Sequence, residues 1–125
     1  MFPYRTHVDH DHRTILVVGT GPGTTADTLR LIEGVRETLG ECAGYDFLYD
    51  AMNLRIESSP ADMLVVARAL FEEAGARLGR FAIVVPEARV GLARMFTALA
   101  HPHGVQADVF TDLREARLWL GLERG

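Results

Sequence analysis

Lysine is missing from this chain: all 13 basic residues are arginine. That absence excludes a Schiff-base lysine, a phosphate-loop lysine and a lysine general base. Cysteine is nearly missing as well. With Cys42 as its one thiol, the chain can form no intrachain disulfide, no CxxC redox pair and no thiolate zinc site. A reducing, cytoplasmic setting is the expectation. Nowhere do about 18 apolar residues follow one another, and the opening MFPYRTHVDHDH has no apolar stretch of signal-peptide length. No membrane partner is expected. Net positive charge is lacking too: a formal charge of −4 and a pI near 5.7 leave no broad basic face for phosphate backbones, so no nucleic-acid partner is expected either.

What is present is an ordinary globular composition, 48% hydrophobic and 24% charged over 125 residues, enough to bury a core within one domain spanning residues 1–125. The stretch on which the rest turns is YDFLYDAMNLRIESSPADM, Tyr45 to Met63. Tyr45 to Ala51 reads as a strand buried on both faces. Ser59, Pro60 and Asp62 then supply an N-cap hydroxyl, a first-turn proline and a carboxylate at the third helical position, which together predict a helix start.

Around that stretch the remaining elements fall into order. Tyr4 to Val8 and Thr14 to Gly19 read as two extended segments joined by the polar cluster Asp9 to His12, a β-hairpin. A loop rich in glycine, proline and threonine is expected from Thr20 to Thr25, followed by a helix capped by Thr24 and Asp27 and carrying Leu29, Ile32, Val35 and Leu39. The helix begun at Ser59 continues through Val66, Leu70 and Phe71 to Leu78. Phe81 to Val85 is a buried strand stopped by Pro86. A third helix places Leu92, Met95, Phe96 and Leu99 on one side, with Met95 and Phe96 in the core. Val105 to Phe110 forms a last strand, and Asp112 and Glu115 start a C-terminal helix bearing Leu113, Ala116 and Trp119. Alternation of this kind calls for an α/β fold of about five strands, mostly parallel with an antiparallel N-terminal strand, and about four helices.

The element order, the segment VVPEARVGLARMFTAL (Val84 to Leu99) and the ending VFTDLREARLWLGL (Val109 to Leu122) resemble bacterial STAS-like proteins, relatives of the anti-sigma-factor antagonists. The resemblance implies a STAS-like fold over essentially the whole chain and a regulatory, protein-contacting role. It also implies a phosphoacceptor at the second helix start, Ser58 or Ser59, after a strand-end aspartate, Asp50. Where the antagonists carry Asp-Ser-Ser-Gly or Asp-Thr-Ser-Gly, this chain has Glu57-Ser58-Ser59-Pro60.

Read from the residues alone, Ser59 serves as the cap and Ser58 is the better phosphoacceptor. A ligand-binding alternative uses the loops after the parallel strands, where Gly21, Gly23, Asp50 and Arg89 with Ser58 would form one rim for an anion, nucleotide or acyl ligand. The run Val18 to Gly23 also resembles the VGxGPG opening of tetrapyrrole-type methyltransferases, which implies a nucleotide- or S-adenosylmethionine-dependent enzyme fragment as a third reading. No nucleophile and base stand at recognisable spacing, so a non-enzymatic module without a cofactor is the expectation. The histidines His7, His10, His12, His101 and His103 read as solvated turn and helix-end residues, with no metal site expected. The protein partner is left unnamed by the sequence; a homodimer is compatible with a C-terminal helix that brings Trp119 or Leu118 to the surface.

Overall fold

A computed structural model describes residues 1–123 of the chain. Strand β1 (Tyr4–Asp9) and strand β2 (Thr14–Gly23) form the hairpin that the turn-prone Asp9 to His12 cluster predicts, antiparallel from Tyr4 opposite Gly19 to Asp9 opposite Thr14. Helix α1 (Thr25–Glu41) opens with a complete capping box, Thr24 accepting from the Asp27 backbone and Asp27 from the Thr24 backbone. Strand β3 (Asp46–Ile56) runs parallel to β2, and strands β4 (Phe81–Val84) and β5 (Ala107–Phe110) follow in parallel, giving a five-stranded sheet in the order β1-β2-β3-β4-β5.

Helices α1, α2 (Pro60–Ala67) and α3 (Val90–Ala98) cover one face of this sheet, and α4 (Leu113–Trp119) covers the other. The larger core contains Ile15, Val35, Leu39, Phe47, Phe71, Phe81 and Phe96; the smaller one joins Leu48, Ala82 and Val84 to Ala116 and Leu120. Strand β3 therefore meets side chains on both faces, which accounts for the consecutive buried apolar residues Phe47 and Leu48. At the opposite edge from the helix starts, Arg80 ties three elements together. It donates from its backbone and from Nη2 to Asp46 (2.7 and 2.9 Å) and from Nη1 to Trp119 O (2.7 Å).

Three local expectations are corrected. The loop expected from Thr20 to Thr25 is strand as far as Gly23. Beyond Gly19, β2 has no β1 partner, so its outer edge tolerates Pro22, and Gly21 takes a positive φ of 74° that a side chain would strain. The helix expected to reach Leu78 instead ends its α-helical part at Ala67, passes through a π-helical turn over Arg68–Glu72 and closes with a 3-10 turn over Gly75–Arg77. In α3 the buried stripe is Ala93, Phe96 and Thr97, which leaves Met95 58% exposed instead of in the core. Leu118 and Trp119 are both half-buried, Trp119 tilted against Phe110 with Arg80 over its ring, and Leu64, Val65, Leu92 and Met95 are exposed apolar side chains on α2 and α3.

Candidate functional site

The site begins with a mismatch in strand lengths. Val18 pairs with Asp50 and Thr20 with Asn53, so two residues of β3, Ala51 and Met52, stand opposite Gly19 alone. This is a β-bulge, and a bulge breaks the ladder of backbone hydrogen bonds locally. It also changes which face each later residue occupies. Tyr49 and Ala51 face the larger core before it, and Leu54 and Ile56 do so after it. Because β4 ends at Val84, opposite Asp50, β2 and β3 continue past the sheet as a two-stranded ribbon.

Arg89 repairs the bulge. Its Nη2 donates to Ala51 O at 2.9 Å and to Met52 O at 3.3 Å, standing in for the strand that would otherwise satisfy those carbonyls. Both Nη2 protons are thereby used. Nε and Nη1 keep their donors, and Arg89 has no carboxylate partner among the described residues.

Above the bulge lies a cavity of about 150 Å³, open to the surface. Its floor is Ala51, Ile83 and Val85 from the sheet, and its ribbon wall is Leu54 and Ile56. Met63 and Val66 of α2 close one side, and Leu92, Ala93 and Phe96 of α3 close the other. Four lining residues carry polar side chains, Thr28, Tyr49, Ser58 and Arg89, and Arg89 is the one charged residue in the lining.

The hydroxyls at the back of the cavity are linked. Tyr49 lies 3.1 Å from Tyr4 hydroxyl to hydroxyl, Tyr4 lies 2.8 Å from Thr28 Oγ1, and Thr28 Oγ1 donates to Thr24 O at 3.3 Å. Burial pushes the Tyr49 phenol well above its ordinary value, and its neighbour Tyr4 pushes it further, against a smaller opposing pull from Arg89. Burial raises Tyr4 as well. Both phenols are therefore neutral at ordinary pH and offer hydroxyl hydrogen bonds, not charge.

The residues singled out in the sequence scatter. Ser59 is the N-cap of α2 in a second capping box with Asp62, and it is exposed. Ser58 is half-buried at the cavity edge, its Oγ 3.0 Å from Thr25 Oγ1, so that the first turns of α1 and α2 meet there. Arg89 lines the same cavity. Asp50 alternates with Leu48 and Met52 onto the α4 face and accepts from Met52 N at 3.1 Å within the bulge. Gly21 and Gly23 lie in the ribbon, paired with Leu54 and Ile56, and contribute nothing to the cavity lining. The single rim expected from Gly21, Gly23, Asp50, Ser58 and Arg89 is thus reduced to Ser58 and Arg89, and the phosphate-cradling loop is strand.

Sequence reasoning passed over Tyr49, Thr28 and the two small residues Ala51 and Ala93, which make the space. The signal available was period-two spacing of Tyr49 and Ala51 and helical spacing of Ala93 and Phe96. Elsewhere, His10 bonds Tyr45 (2.9 Å) and His12 pairs with Asp9 (2.8 Å). Among the described residues no three His, Cys, Asp or Glu side chains are grouped to hold a metal ion. No helix there is long and apolar enough to cross a membrane.

Among solved structures, an uncharacterized protein of the DUF3478 family from Shewanella loihica PV-4, with a SpoIIAA-like fold, superposes with a TM-score of 0.66. The match covers 94% of this chain and 91% of that one at 19% sequence identity. The fold is SpoIIAA-like. That agrees with the STAS-like architecture implied by the segments Val84 to Leu99 and Val109 to Leu122. No protein-family model matches the chain, and no curated protein matches it.

Proposed function

We propose that the protein is a small-molecule binding module whose ligand occupies the cavity between the ends of β3 and β4 and the helices α2 and α3. The observation that carries this reading is the cavity itself, an open apolar space with one fixed cation and a few hydroxyls. Ligand pockets have this make-up, largely apolar walls with a small number of placed polar groups. In open α/β sheets such sites lie beyond the carboxyl ends of the strands, where Arg89 and Ser58 stand. An apolar ligand there takes the apolar walls out of water and adds dispersion contacts along them. The test is a thermal-shift screen of small aromatic and aliphatic compounds on the wild type and on Ala93→Leu, which fills the space from α3. Hits that stabilise the wild type and leave Ala93→Leu unmoved support the reading; equal shifts in both proteins place binding elsewhere.

A second reading rests on Ser58. Its hydroxyl lies where two helix N-termini meet, which favours a phosphoryl group, and α2 and α3 beside it expose Leu64, Val65, Leu92 and Met95 as an apolar face for a protein partner or a second copy of the chain. On this reading the protein is a regulatory contact module controlled by phosphorylation. Identical binding profiles and identical sedimentation for wild type, Ser58→Ala and Ser58→Asp count against it.

A further inference from the structure

The make-up of the cavity also fixes the kind of molecule it suits. Resting on the ligand-binding reading above, we infer that the ligand is a small monocarboxylate, with its carboxylate on Arg89 and a body of one ring, or a branched hydrocarbon of that size, between Ala51 and Ala93.

Charge gives the head group. Arg89 is half-buried, faces apolar walls and has no carboxylate partner among the described residues. Glu57 and Glu87 are exposed and outside the lining, and Asp50, which accepts from Met52 N in the bulge, lies on the α4 face and is outside the lining as well. Tyr49 stays protonated and supplies no negative charge. A cation in such surroundings gains most from an anion that brings its own apolar cover, because the pair is then shielded from water.

The strength of the cation sets the charge of the ligand. Nη2 is committed to Ala51 O and Met52 O, so the guanidinium is held in place before any ligand arrives, and the donors of Nε and Nη1 are left for it. Both two-pronged edges of a guanidinium use Nη2, so a carboxylate here accepts single hydrogen bonds from Nε or Nη1, and its one negative charge matches the one cation. A phosphate dianion would meet the same single charge and keep an uncompensated one, with the carbonyls of Ala51 and Met52 close by.

Volume gives the body. An apolar cavity of about 150 Å³ holds a molecule the size of benzene, and this cavity has that volume. Phe96 and Val66 separate it from a second, much smaller void of about 20 Å³ between α1 and the sheet. That void is too small for a further ring, so a longer body would have to extend through the open mouth into water instead of deeper into the core.

Calorimetric titration with benzoate, benzyl alcohol and phenyl phosphate tests the class. The expected order is benzoate at least about tenfold tighter than either of the others, a gap of about 1.4 kcal/mol. Arg89→Gln should erase the preference for benzoate. Because Arg89→Gln also leaves the bulge carbonyls short of donors, Leu92→Glu is the second variant. Leu92 lines the cavity, is 44% exposed and supports no hydrogen bond, so a carboxylate there should weaken benzoate at least about tenfold more than it weakens benzyl alcohol, a gap of about 1.4 kcal/mol. Benzyl alcohol binding as tightly as benzoate, or phenyl phosphate binding more tightly, overturns the carboxylate assignment while the cavity stands as a ligand site. Failure of all three probes to bind overturns both.

Discussion

The Nη2 atom of Arg89 lies 2.9 Å from the carbonyl oxygen of Ala51, 38 residues earlier in the chain. A side chain from the loop after β4 thereby completes the edge of β3 where β4 has run out. The same contact aims the rest of the guanidinium into the cavity, so one residue joins the geometry of the sheet to the chemistry of the site.

Replacing Arg89 with methionine keeps the stem packing and removes the donors. Ala51 O and Met52 O then lose their partner, and unsatisfied carbonyls cost about 1–3 kcal/mol. Urea denaturation of Arg89→Met is expected to show a loss in that range. A midpoint equal to wild type shows that water satisfies the bulge as well as arginine does.

Gly79 marks a second tight place. A Cβ there would stand 2.5 Å from Asp46 Oδ1 and 2.7 Å from Gly44 O, so Gly79→Ala must push apart the turn that lets Asp46 receive Arg80. Overpacking of this sort costs about 1–3 kcal/mol. A melting temperature unchanged by the alanine contradicts the account of the Asp46 and Arg80 clip.

The two serines should behave differently. Ser59→Ala removes the cap hydroxyl that accepts from Asp62 N, with an expected loss of about 1 kcal/mol. Ser58→Ala removes one hydroxyl contact to Thr25 at the cavity edge and is expected to move stability by less. The reverse order in chemical denaturation sinks the assignment of Ser59 as the cap.

Alkaline pH offers a separate check. The phenols of Tyr4 and Tyr49 titrate above their ordinary value of 10.0 in the folded chain, so on raising the pH the unfolded chain loses these protons first. Their contribution to stability is therefore full below that ordinary value and lost as pH rises through the higher folded values. Stability measured from about pH 9 to about pH 11 should fall, and Tyr49→Phe should flatten the fall. Equal slopes for the two proteins contradict the placement of Tyr49 in a desolvated wall.

What could be read from the sequence was set by short-range chemistry. Ser59, Pro60 and Asp62 announce a helix start because all three act within one turn, and Tyr45 to Ala51 announces a strand because both sheet faces are covered. The bulge at Ala51 and Met52 was hidden, since it depends on register against Gly19 and on where β4 stops, facts no local window contains. Gly21 and Pro22 look like a turn in isolation; they are strand because they pair with Leu54 and Arg55 of β3, and Pro22 is tolerated because β2 has no β1 partner there. Met95 fits a helical stripe as well as Ala93 does, and only the rotation of α3 on the sheet decides which of them is buried. Arg89 and Ser58 were visible as candidates, whereas the space between them, made by Ala51 and Ala93, was not.

The most direct measurement is methyl-resolved NMR of the protein titrated with benzoate. The account predicts saturable shifts confined to Met63, Val66, Ile83, Val85 and Leu92, the cavity walls, with Leu48 and Leu120 under α4 unmoved. Shifts centred on the α4 face, or none at all at saturating benzoate, contradict it.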